Sequence, residues 1–165
     1  MTPREQFIAW LNDAYSMELS LVPVLENHAK DAADYPEIQE RIQRHAEETR
    51  RQSEQIENII TGLGGSVSTT KSIIGSLFGT GQSITTEFFE DEMIKNFISD
   101  FAAENFEIAS YKSLIAAAEQ IGEQGVVSQL QQILREEEEM ARWLEERISF
   151  ATQIGLEKAT SASGS

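Results

Sequence analysis

The 165-residue chain predicts an all-α fold, a four-helix bundle made of two antiparallel hairpins. Three observations carry that expectation. Apolar residues recur at helical spacing through four long stretches, and no stretch shows the strict alternation of a half-buried strand. The connections between the stretches run short, long, short. Only three prolines and ten glycines interrupt a sequence that is 40% hydrophobic, enough for one domain with a sizeable core.

The first helix is expected from about Pro3 to Lys30, with the stripe Phe7, Leu11, Ala14/Tyr15, Glu18, Leu21/Val22 and Leu25. Pro23 lies inside it and predicts a bend. Asp31 to Asp34 form a short connector, and Asp34-Tyr35-Pro36 reads as a helix start with an acid near the cap. The second helix runs from about Pro36 to Leu63 and stops at Gly64-Gly65. Its stripe is Ile38, Ile42, His45, Glu48/Thr49, Gln52, Ile56, Ile59/Ile60 and Leu63, apolar at both ends and polar in the middle. A Gly-, Ser- and Thr-rich connection follows to about Glu87, with an apolar piece at Ser72–Phe78 that predicts a short crossing helix. The third helix is expected from about Phe88 to Ile121, with stripe Met93/Ile94, Phe97, Phe101, Glu104, Glu107/Ile108, Tyr111, Leu114/Ile115 and Ala118. After the turn Gly122–Gly125, the fourth runs from about Val126 to Thr152 through Val127, Leu130, Ile133/Leu134, Glu137, Met140/Ala141, Leu144 and Ile148. Residues 1–152 thus form one domain, and residues 153–165, ending in Ser161-Ala162-Ser163-Gly164-Ser165, read as a flexible tail.

Composition narrows the chemistry. Thirteen Lys and Arg stand against 28 Asp and Glu, a formal net charge of −15. Affinity for nucleic-acid backbones and anionic membrane surfaces comes from cationic patches, so neither is expected as a partner. There is no cysteine, which removes disulfides, thiol catalysis, iron–sulfur clusters and thiolate-bound zinc or haem. With only His28 and His45, a three-histidine zinc site has no ligand set. No stretch reaches the ~18 apolar residues of a membrane helix, and no secretory leader opens the chain, so the expected location is the cytoplasm. Any demanding chemistry must rest on carboxylates.

Each helix places an acid where its period demands an apolar residue: Glu18, Glu48, Glu104 with Glu107, and Glu137. Of the run Glu136–Glu139, Glu137 is in register with Leu130, Leu134, Ala141 and Leu144. Glu47 shares a face with charged neighbours, whereas Glu48 adjoins the inward His45 and Gln52. Glu18 and Glu48 are each fifteen residues from Ala33, and Glu107 and Glu137 are each fifteen from Gly122. Equal distance from a hairpin turn means equal height, about 22 Å at a ~1.5 Å rise per residue. His28 near a helix end reads as structural, and Tyr15 and Tyr111 as aromatic core.

Two short connections around one long one give the crossover topology of ferritin-like bundles, which lets both acidic levels coincide. Several buried carboxylates at one level cannot all stay ionised without a cation. Two bridged divalent metals resolve the conflict, and oxygen donors with one imidazole suit iron or manganese better than zinc or copper. The competing reading is a metal-free helical protein with a polar core layer, acting through dimerisation or partner binding.

Leu11-Asn12-Asp13-Ala14-Tyr15-Ser16-Met17-Glu18, His45-Ala46-Glu47-Glu48-Thr49 and Glu104-Asn105-Phe106-Glu107-Ile108-Ala109-Ser110-Tyr111 resemble the YciE/YciF-type stress-protein family. That family is ferritin-like and related to rubrerythrins, and the resemblance extends from about Glu5 to Ile148. It implies a small cytoplasmic bacterial protein, a homodimer associated with stress. It also implies roles: Glu48 and Glu137 as metal bridges, Glu18, Glu104 and Glu107 as terminal ligands, and His45 as an imidazole donor. The implied chemistry is that of a non-haem dimetal oxidase or peroxidase acting on oxygen, peroxide or ferrous iron. The general di-iron pattern carries Glu-x-x-His on its second and fourth helices; here Arg51 follows Glu48 and Met140 follows Glu137 at that spacing.

Overall fold

A computed structural model of the protein describes residues 1–68 and 91–163. Four helices follow in order: α1 Pro3–Asp31, α2 Pro36–Gly62, α3 Glu92–Ile121 and α4 Gln124–Ser163. The short helix expected at Ser72–Phe78 and the expected start of the third helix at Phe88 lie outside the described residues.

Local chemistry sets the ends. Thr2 accepts a hydrogen bond from the Glu5 amide at 3.2 Å, and Glu5 accepts the Thr2 amide at 2.7 Å. This reciprocal pair satisfies two donors that the first turn of α1 leaves free. Tyr35, not the expected Asp34, occupies the cap position of α2 and makes no side-chain cap bond. Proline at the first helical turn, whose missing N–H costs nothing there, starts this helix instead. Asp91 caps α3 through the Ile94 amide at 3.2 Å. Gly122 closes α3 with φ +82°, the left-handed conformation that only glycine adopts at no steric cost, and the chain turns into α4 at once.

α1 lies beside α2 and α3, and α4 beside α3 and α2, so α1/α4 and α2/α3 form the diagonals. Two apolar clusters fill the interior. One holds Phe7, Leu11, Ile56, Ile60, Leu130 and Ile133. The other holds Leu25, Ile42, Phe97, Met140 and Leu144 toward the α1–α2 turn. Between them the expected stripes turn polar.

The fourth helix does not stop at Thr152. Residues 153–163, read from sequence as tail, continue α4. Ala151 and Ile154 are buried, and Gly155 lets α4 approach the start of α3. A Cβ at Gly155 would meet Ile94 Cδ1 at 2.7 Å, so a larger residue there would make the Ile94 side chain move aside. The Ser and Thr content that suggested disorder is absorbed locally: Ser161 donates to the Glu157 carbonyl at 2.9 Å. Among the described residues, no helix is long and apolar enough to cross a membrane.

Candidate metal centre

The polar layer is built by all four helices. α1 supplies Glu18, α2 His45, α3 both Glu104 and Glu107, and α4 Glu137; all five are buried. Glu104 and Glu107 share one face of α3 because residues three apart are helical neighbours. Of the four-glutamate run on α4, Glu137 is fully buried, while Glu136 and Glu138 are partly exposed and Glu139 is exposed.

These side chains meet in the middle of the bundle, across a diagonal and between neighbouring helices. His45 Nε2 of α2 lies 2.7 Å from Glu104 Oε1 of α3 and 3.9 Å from Glu137 Oε2 of α4. Tyr111 donates its hydroxyl proton to Glu18, so its ring packs in the core while its oxygen serves the acidic layer. Two groups of potential ligand atoms result, each with its atoms within 4.8 Å of one another: His45, Glu104 and Glu137, and Glu18, Glu107 and Glu137. Glu137 belongs to both.

The electrostatics are those of charge in excess. Burial, opposed by the Tyr111 hydrogen bond and by His45, lifts the Glu18 carboxyl to about 8. Burial also drives Glu107 well above the ordinary carboxylate range, reinforced by Glu137 and Glu18. Glu137 moves the same way through burial and Glu104. Burial alone would depress His45, but Glu104, Glu48 and Glu137 together hold it well above its ordinary value. Four buried carboxylate oxygens, one each of Glu18 and Glu104 and both of Glu137, have no hydrogen-bond partner. A buried polar atom without a partner is costly, and a cation among them removes the cost. Oxygen donors with one imidazole therefore fit a hard or borderline divalent metal.

Glu48, expected beside these residues, lies outside both groups. Its partly exposed side chain faces His45 Nδ1 at 3.1 Å and Arg41 Nη1 at 3.3 Å. Thr49 is buried in its place and bonds back to the His45 carbonyl at 3.0 Å. Gln52 donates to Glu136 at 2.9 Å at the flank of the layer.

Asp100 was not foreseen. It is buried one turn before Glu104, and its Oδ1 lies 2.7 Å from His28 Nδ1. Its spacing of four from Glu104 was the available signal, hidden because Phe101 satisfied the apolar stripe. Burial raises the Asp100 carboxyl and outweighs the opposing effect of His28. Burial pulls His28 down, but the Asp100 hydrogen bond and charge leave it raised.

The bundle topology and its buried carboxylate–imidazole layer define a ferritin-like protein with candidate metal-binding groups. The sequence pattern of a domain of unknown function, DUF892, matches residues 2–158, and the chain belongs to that family. A protein of Xanthomonas campestris pv. campestris is 34% identical and superposes with a TM-score of 0.83, covering 96% of this chain and 99% of that one. The Escherichia coli stress protein YciF shares the fold at 24% identity and a TM-score of 0.79, over 93% and 98% of the two chains. A Desulfovibrio desulfuricans bacterioferritin, described with a diiron site, shares it at 23% identity and a TM-score of 0.73, over 93% and 84%.

Proposed function

We propose that the protein is a carboxylate-bridged dimetal protein of the stress response, holding iron or manganese and acting on oxygen, peroxide or ferrous iron. The observation that carries this reading is the shared Glu137: two buried ligand groups overlap in one residue, and neither of its oxygens has a hydrogen-bond partner. Glu137 would then be shared, with His45 and Glu104 as the residues that would help hold one ion and Glu18 and Glu107 those that would help hold the other. Metals so held supply electron exchange and Lewis acidity. The chain's own contribution is a set of five buried ligand side chains lying between two apolar clusters. Tyr111 keeps Glu18 turned toward the centre, and the raised carboxyls carry protons that a divalent ion displaces on entry. A cytoplasmic homodimer is part of the proposal, as the resemblance to the YciE/YciF-type family implies.

Metal analysis after loading with ferrous iron or manganese tests the reading. Two ions per chain, lost in Glu137→Gln, are expected; less than one ion per chain after loading rejects it. One observation favours a metal-free polar core instead: His45 already pairs with Glu104, and Tyr111 with Glu18. On that reading, replacing Glu18, Glu107 and Glu137 together by Gln leaves the protein's function and its fold intact.

A further inference from the structure

We propose that Glu48 is a positioning residue, not a metal ligand: it fixes the ring of His45 so that Nε2 faces the centre. The metal part of this inference rests on the dimetal reading; the ring-orientation part does not.

An imidazole binds a metal through one nitrogen, and the acceptor on its other nitrogen decides which one. In His45 the two nitrogens have different company. Nε2 faces Glu104 at 2.7 Å and Glu137 at 3.9 Å, the residues that form a ligand group with it. Among the described residues Nδ1 pairs with Glu48 Oε2, at 3.1 Å. With a proton held on Nδ1 by that carboxylate, the nitrogen that exchanges its proton for a metal ion at the centre is Nε2, which otherwise pairs with Glu104.

Glu48 is itself held from behind. The same Oε2 accepts from Arg41 Nη1 at 3.3 Å. The Arg41 guanidinium lies 6.0 Å from the centre of the Trp143 ring, and Trp143 stacks on buried Phe97 at 5.9 Å between centroids. The chain Phe97–Trp143–Arg41–Glu48–His45 thus runs from the apolar cluster to the ligand. Helix geometry explains why the acid serves this role. Glu48 is three residues after His45 on α2, near enough to reach its ring, whereas Thr49 takes the inward position. The order His-x-x-Glu therefore joins an imidazole to its orienting carboxylate.

The test compares Glu48→Ala, Glu48→Gln and Arg41→Gln, each checked for helical content. In metal-free protein, nitrogen-15 NMR of the His45 ring is expected to show a slowly exchanging Nδ1 proton, lost in Glu48→Ala and partly restored in Glu48→Gln, whose amide oxygen still accepts. In cobalt(II) titrations, Glu48→Ala is expected to lower affinity by about tenfold to a hundredfold while still binding two ions per chain. Glu48→Gln and Arg41→Gln fall between it and the parent. An unchanged ring proton in Glu48→Ala overturns the proposal, as does loss of one whole ion per chain, which would make Glu48 a ligand. A parent chain that binds no cobalt, iron or manganese overturns the dimetal reading alone, and the ring-proton result then decides the role of Glu48.

Discussion

His28 and His45 each meet a carboxylate of α3 at 2.7 Å, and the two pairs differ in what surrounds them. His28 and Asp100 join α1 to α3 at the flank, one base to one acid, with one Asp100 oxygen left over. His45 stands at the centre against Glu48, Glu104 and Glu137, with Glu18 and Glu107 behind them, and the layer leaves four buried oxygens without partners. A matched pair is a structural tie between helices. A surplus of acid around one base is an electrostatic deficit that protons or metal ions must fill.

Breaking the matched pair has the largest expected effect on folding. His28→Ala strands a buried Asp100 and is expected to cost about 3 kcal/mol in urea unfolding, with metal uptake unchanged. Filling the deficit comes next. Free metal at about a hundred times its dissociation constant is expected to stabilise the parent by ~2.7 kcal/mol. Glu137→Gln should abolish that gain and Asp100→Asn should retain it; a gain lost equally in both would erase the distinction between the regions.

The pH dependence sharpens the same contrast. Glu18 rises from 4.5 to about 8 on burial, and Glu107 and Glu137 also rise, so the folded chain holds protons that the unfolded chain releases. Well below 4.5 these acids are neutral in both states; from there upward the unfolded chain ionises first, and at higher pH the folded state must increasingly carry buried charge. Raised His45 and His28 also lose their contribution as pH climbs through their folded values. Glu48 opposes the trend: burial pushes it up, but His45 and Arg41 hold it below its ordinary value, so its contribution disappears on acidification. In chelator, the melting temperature is expected to fall between about pH 5 and about pH 8. Saturating metal should reverse that trend, because alkaline pH frees the ligands. The smallest effect belongs to the surface: Arg50→Gln, which breaks the exposed pair with Glu26, should shift stability by less than about 1 kcal/mol.

The periodicity of the sequence carried the helices, and distance from the turns carried the height of Glu18, Glu107 and Glu137. Glu48 shows where that reasoning stops. Residues three and four after His45 both lie near its face, and only packing against the other helices decides that Thr49 goes inward. Tyr111 could be placed on the stripe, but not its hydroxyl on Glu18, because that contact joins residues 93 apart in sequence. The end of α4 was misplaced for a related reason. Gly155 lies against Asp91 and Ile94 of the start of α3, and Ile154 is buried, a neighbourhood that no local composition reveals.

The two ligand groups also have an origin that matters for assembly. The α1–α2 hairpin contributes His45 to one group and Glu18 to the other, and the α3–α4 hairpin contributes Glu104, Glu107 and Glu137. Neither hairpin contains a complete group. The second brings three acids and no base, so its inner face repels itself until the first hairpin closes over it. The centre is therefore a seam between halves of the chain, and its counterions act on the docking step of folding. Protons or metal ions should speed that closure while leaving each hairpin's own formation untouched.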